Sequence, residues 1–154
     1  MFQNRPLLRT RAAVSAGVLT ASLLGGMIAA APSTFAASYP TCNGVKSVKA
    51  GGTDTVNQPY YKGNGTRDCI LKYGNQSSAV KELQFNLNHC HGLSTGGFDG
   101  IYGDKTREAV KAVQRDARIE VDGIYGPDTR KAMDWYFYRN GDPGRSCLPG
   151  SFIG

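Results

Sequence analysis

The chain has 154 residues, 40% of them apolar, and a formal charge of +6. That length bounds it to one small domain plus short segments. The basic residues form no stripe interleaved with aromatics, which argues against a nucleic-acid partner. At the start, Arg5, Arg9 and Arg11 precede the uncharged run AAVSAGVLTASLLGGMIAAA, and PSTFAAS follows with small residues. Basic, apolar, then small is the order of a secretory signal peptide, expected over residues 1–36 and cut after Ala36 or Ala37. A membrane anchor is the alternative reading. The run is rich in Ala and Gly rather than Leu and closes on Ala-Pro, so no membrane contact is expected once it is removed. The leader carries three arginines and no acid, which leaves a mature charge of +3 on about 117 residues.

Four cysteines remain in that mature part: Cys42, Cys69, Cys90 and Cys147. An even count in an exported chain predicts two disulfides, useful where a small core stabilises only marginally. The competing reading is a metal site around His89, Cys90 and His91. There is no CxxC pair, and adjacent residues on a helix diverge, so neither metal nor cofactor is expected.

Residues 37–68 are rich in Gly, Asn, Thr, Lys and Tyr and poor in aliphatics. GVKSVKAGGTDTVNQPYY predicts a hairpin around Gly51-Gly52, with Pro59 marking its second strand as an edge. The domain proper is placed over 69–138, and an irregular tail over 139–154. From Ser77 the pattern becomes helical. Val80, Leu83, Leu87 and Cys90 share one face of a first helix, with Ser77 as N-cap and Gly92 as its end. A second helix after Gly103 turns Thr106, Ala109, Val110, Val113 and Ala117 inward. A third, with Pro127 at its first position, would turn in Ala132, Met133, Tyr136 and Phe137.

The expected fold is therefore mainly α: a compact bundle of three helices behind a short N-terminal β-hairpin extension. Cys69 lies about 17 Å up the extended CILKYG segment, and Cys90 about 20 Å up the first helix, from the turn at Gly74. If segment and helix run antiparallel, the two meet. That favours Cys69–Cys90 with Cys42–Cys147, and the other pairings stay open.

Two stretches nearly repeat: DGIYGDKTREA from Asp99 and DGIYGPDTRKA from Asp122, 23 residues apart. Each reads as an Asp-Gly turn, two apolar residues and a helix start. The glycines and isoleucines are explained by tight bends and packing. Tyr102, Thr106, Tyr125 and Thr129 are left over, near helix N-termini that favour anions. Those four, with Gln114 and Arg107 as hydrogen-bond donors, are the candidate ligand-binding residues.

The spacing LKYGNQSSAVKELQFNLN, then FDGIYGDKTREAVKAVQRDARIEVDGIYGPDTRKAM, resembles the peptidoglycan-binding domain built from three helices with duplicated Asp-Gly turns. The resemblance runs from about Cys69 to Trp135. Its landmarks are Leu71, Gly74, Leu83-Gln84, Asp99-Gly100, Gln114, Asp122-Gly123-Ile124 and Gly126-Pro127. Val113 stands where the family usually has an aromatic, and Arg118 where it often has Gly. With its extension, four cysteines and leader, the chain is similar to small secreted versions from filamentous actinobacteria. The resemblance implies a secreted or wall-associated module, here a monomer, that holds peptidoglycan through its glycan or its stem peptide.

Enzymatic activity is not expected. The two histidines sit two positions apart and would diverge on a helix, and no HExxH spacing exists. Glu82 and Glu108 fall off the core faces, and Asp99 and Asp122 belong to their turns. The alternative function is a disulfide-stapled protein-interaction module or enzyme inhibitor, presenting the WYFY run with Phe85 and Tyr60-Tyr61.

Overall fold

The structure, a computed structural model, describes residues 38–153, so the expected leader over 1–36 lies outside the described residues. Strands β1 (Gly44–Gly51) and β2 (Asp54–Tyr60) form an antiparallel hairpin, with Gly44 opposite Tyr60 and Lys49 opposite Thr55. Three helices follow: α1 (Ser78–His91), α2 (Asp104–Asp116) and α3 (Pro127–Ala132). The chain then returns to strand as β3 (Asp134–Arg139) and β4 (Asp142–Pro149), and ends in a short 3-10 turn over Gly150–Phe152.

The fold is thus not a mainly α three-helix bundle. A four-stranded antiparallel sheet, in the order β1-β2-β3-β4, stands beside the helices. The third helix stops six residues after its start, and the expected inward positions Tyr136 and Phe137 lie on β3 instead. Met133 is extended rather than helical, and its carbonyl accepts from the Gly150 N–H at 2.7 Å. Along β3, Trp135 and Phe137 are buried while Tyr136 and Tyr138 are half-buried, a period of two. Aromatic-rich runs favour strands. Asn140 and Gly141, both at positive φ (51° and 86°), make the two-residue turn between β3 and β4. An Asn-Gly pair is among the strongest hairpin signals because both central positions need that conformation. Part of the expected irregular tail is therefore β4.

Strand β2 pairs with β3 through Asp54, Thr55 and Val56, so Pro59 lies where β2 has no second neighbour. Beyond that point α1 takes over the edge of β3. The Tyr136 N–H donates to Asn86 Oδ1 at 2.9 Å, and the Asp134 N–H donates to His91 Nε2 at 3.1 Å. Helix α1 starts on Ser77, whose Oγ accepts from the Val80 N–H, and stops at left-handed Gly92, as capping chemistry requires. Val80, Leu83 and Leu87 from α1, Val110 from α2, and Leu71, Tyr102, Tyr125, Met133 and Trp135 fill one core. Ala117, expected on the inner face of α2, caps it and is exposed.

The cysteines pair as Cys42–Cys69 and Cys90–Cys147, correcting the favoured Cys69–Cys90 and Cys42–Cys147. The segment after Cys69 does not run along α1. Its Ile70 N–H donates to Pro40 O and its Ile70 carbonyl accepts from Cys42 N–H, which sets the first two cysteines side by side. Leu71 on the same segment bridges to Tyr125. The second disulfide ties the end of α1 to β4.

His91 accepts a backbone N–H, so it is neutral with its proton on Nδ1, and burial pushes its pKa below the ordinary value. The nearby Asp134 and Asp116 offset part of that shift. Below the unfolded pKa, near 6.5, the unfolded chain binds more protons than the folded one, so stability falls as pH drops. Urea midpoints at pH 7.5 and 5.5 should differ more for the wild type than for His91→Gln. An equal difference in both would mean that His91 is not a source of acid sensitivity.

Candidate functional site

The two Asp-Gly turns are built alike, and a glutamine from the preceding helix clamps each. In the first, Gln84 Nε2 donates to Asp99 Oδ1 (2.8 Å), Ile101 O (3.0 Å) and Thr106 Oγ1 (3.2 Å). Its Oε1 accepts from the Gly100 N–H at 2.9 Å. In the second, Gln114 Nε2 donates to Asp122 Oδ1 (2.8 Å), Ile124 O (3.0 Å) and Thr129 Oγ1 (3.1 Å), and Oε1 accepts from the Gly123 N–H at 2.9 Å. Each aspartate also accepts the N–H two residues on, from Ile101 or Ile124. These donors hold the Asp99 carboxyl below the usual carboxylate range.

Glycine is required in both turns. Gly100 and Gly123 have φ of 76° and 70°, a conformation that costs other residues a steric penalty. A Cβ on Gly123 would also sit 2.8 Å from Arg107 Cγ, and one on Gly100 3.0 Å from Ser77 O. Helix and turn approach each other that closely because the glutamine has to reach across.

This geometry relocates the candidate ligand residues. Tyr102, Thr106, Gln114, Tyr125 and Thr129 are all buried. Tyr102 Oη donates to Gly123 O at 3.0 Å, so the tyrosine of the first copy braces the turn of the second. Tyr125 packs edge-on against Trp135, with ring centroids 6.3 Å apart. Burial pushes both phenols far above the ordinary tyrosine pKa, so both stay protonated. Tyr102 and Tyr125 have no exposed surface and cannot touch a ligand in this conformation, whereas Thr106, Gln114 and Thr129 belong to the clamps, and Gln114 and Thr129 also line the cavity beside the second turn. Arg107 alone of the six is partly exposed. It pairs with Asp104 at 2.8 Å and lies 5.4 Å from the Tyr73 ring centroid.

The carboxylates also resolve. Glu108 is exposed and pairs with Lys111. Glu82, expected on a solvated face, is half-buried and accepts from Asn86 Nδ2 at 2.9 Å; burial raises its pKa. No group of three or more His, Cys, Asp or Glu among the described residues could hold a metal ion.

The surface next to the repeats offers two features. A cavity of about 170 Å³ opens beside the second turn, lined by Ile70, Ile119, Glu120 and Pro127 together with Gln114 and Thr129 of the second clamp. On the other side of α1, five rings from three segments gather. Phe85 stacks on His89 at 4.0 Å and meets Tyr136 at 5.4 Å and Phe98 at 5.7 Å, and Tyr138 continues the line 5.6 Å beyond Tyr136. The WYFY run, expected as one surface, is not one. The period of two splits it, sending Trp135 and Phe137 to the core and leaving Tyr136 and Tyr138 for the strip.

A helical module with two glutamine-clamped Asp-Gly turns is thus the part of the chain that the repeat defines. Residues 76–133, which span both clamps and all three helices, match the family model described as "Putative peptidoglycan binding domain". The chain belongs to the peptidoglycan-binding domain family through that segment, and the segment is a peptidoglycan-binding module. No curated protein matches the chain. Among solved structures, the SleB N-terminal domain is 32% identical over 40% of this chain and 84% of its own, with a TM-score of 0.38. A peptidoglycan-binding protein from Clostridioides difficile, in complex with glutamine hydroxamate, is 26% identical over 55% of this chain and 53% of its own, with a TM-score of 0.42. Hairpin β1–β2 and strands β3 and β4 lie outside the matched residues.

Proposed function

We propose that this protein is exported, acts as a monomer and grips peptidoglycan without cutting it. The observation that carries the reading is the family match over a segment whose two Asp-Gly clamps are both complete. Two disulfides suit an oxidising compartment. No described helix is long and apolar enough to cross a membrane. His91 accepts a backbone N–H and Glu82 is bonded to Asn86, so both are engaged in packing.

Incubation of the disulfide-bonded protein with insoluble peptidoglycan tests this. The protein should be retained on the pellet and recovered intact, and the wall should release no soluble fragments over hours. Steady release of muropeptides or reducing ends, abolished by boiling the protein, would overturn the non-catalytic reading.

A further inference from the structure

The two Asp-Gly turns share one clamp but not one charge. At the repeat spacing of 23 residues, Glu120 and Asp128 of the second copy stand where the first has Gly97 and Lys105. The clamp bonds are the same in both copies, so the clamp requires neither acid. Glu120, Asp122 and Asp128 all line the cavity beside the second turn, and among the described residues no Lys or Arg does. All three are exposed, and none forms an ion pair among the described residues. The aliphatic wall of the cavity comes from Ile70, Ile119, Ile124 and Pro127. Its volume of about 170 Å³ equals that of about six waters at about 30 Å³ each. The chain as a whole is basic, at +6, so a hollow lined by acids alone runs against its net charge.

We infer that this cavity takes a primary ammonium group on a short aliphatic chain, and that in the wall this group is the un-cross-linked amine of a stem peptide's diamino acid. The inference rests on the wall-binding reading above and names which group of the polymer is held. A lysine-like chain lays its methylenes on apolar surface and keeps its charged head in water. Here the three isoleucines and Pro127 receive the methylenes, and the exposed carboxylates of Glu120, Asp122 and Asp128 meet the head. The clamp bonds to Asp122 fall on Oδ1, so its other oxygen can face the ligand. A carboxylate is repelled by such a lining, and a neutral sugar face brings no charge for the acids to pair. Exposed ion pairs are weak and screened, so binding through this cavity weakens as salt rises.

The test uses the whole disulfide-bonded protein and a Glu120→Gln/Asp128→Asn variant, both checked for an unchanged thermal transition. Binding is measured on protease-treated insoluble peptidoglycan, as purified and after acetylation of its free amines. The inference expects acetylation to weaken wild-type binding about five- to tenfold, the sum of a few exposed ion pairs. The variant should bind the unmodified wall more weakly by a similar factor and should not respond to acetylation. Free stem peptides with an open side-chain amine should displace the wild type, and the same peptides acetylated on that amine should not. Wild-type binding that acetylation leaves unchanged, or that the variant keeps in full, overturns the amine assignment and leaves the module intact. Displacement by peptide-free glycan strands but not by stem peptides also overturns it. Retention only on wall not treated with protease overturns it too, and gives the cavity to a protein partner. A wild type that binds peptidoglycan in neither form is a separate result: it removes the wall-binding reading itself, and this inference falls with it.

Discussion

Replacing Gln114 by Ala is expected to destabilise the protein by about 3 kcal/mol, and Gln84→Ala by a similar amount. Each glutamine is buried and is the partner of one buried backbone N–H, from Gly123 or Gly100. Leaving such a donor unsatisfied costs about 1–3 kcal/mol, and the space vacated adds a cavity term. Thr129 and Thr106 each lose a donor as well. Glutamate would fare no better, since it presents oxygen to Asp122 where the amide presents N–H. Urea unfolding of the two single variants measures this directly. Losses below about 1 kcal/mol would mean that the turns hold themselves and that the glutamines only fill space.

Removal of the Cys90–Cys147 bond, as Cys90→Ser/Cys147→Ser, is expected to cost about 4 kcal/mol. The bond closes 57 residues, and the loop-entropy model gives about 4 kcal/mol for a loop of that length. The Cys42–Cys69 bond closes 27 residues, for which the same model gives about 3.5 kcal/mol. The larger loop encloses α2, α3 and β3, so its loss should lower the whole unfolding transition rather than fray one end. Thermal denaturation of both double variants ranks the bonds. A smaller effect for Cys90–Cys147 than for Cys42–Cys69 would contradict the ranking by loop length.

Much of the helical half can be read from sequence because its signals are local. Ser77 and Gly92 mark the ends of α1 by capping chemistry, and Val80, Leu83 and Leu87 share its buried face. The repeat itself is legible, as is the need for glycine at positions 100 and 123. The sheet is harder. Met133, Tyr136 and Phe137 fit helical spacing as well as Trp135 to Tyr138 fit alternation, and a short aromatic run does not decide between them. Asn140-Gly141 tips the balance toward a hairpin. Disulfide pairing depends on where Pro40 and Ile70 meet, a contact between distant residues that no local pattern encodes.

The candidate site shows the same limit. Tyrosine is amphipathic, so sequence places Tyr102 and Tyr125 at a surface as readily as in a core. The structure buries both, because the Gly123 carbonyl takes the Tyr102 hydroxyl and Trp135 covers Tyr125. Gln84 and Gln114 stand 15 and 8 residues before their aspartates, and the longer loop in the first copy hides their equivalence. A polar residue on a helix, aimed at an Asp-Gly turn in each copy, is the signal that would have revealed it.

The most direct measurement is a co-sedimentation isotherm of the disulfide-bonded protein on purified insoluble peptidoglycan, stripped of teichoic acids, at increasing wall loading. The account predicts saturable depletion from the supernatant that free peptidoglycan fragments compete away. Folded protein that stays in the supernatant at every loading would contradict it.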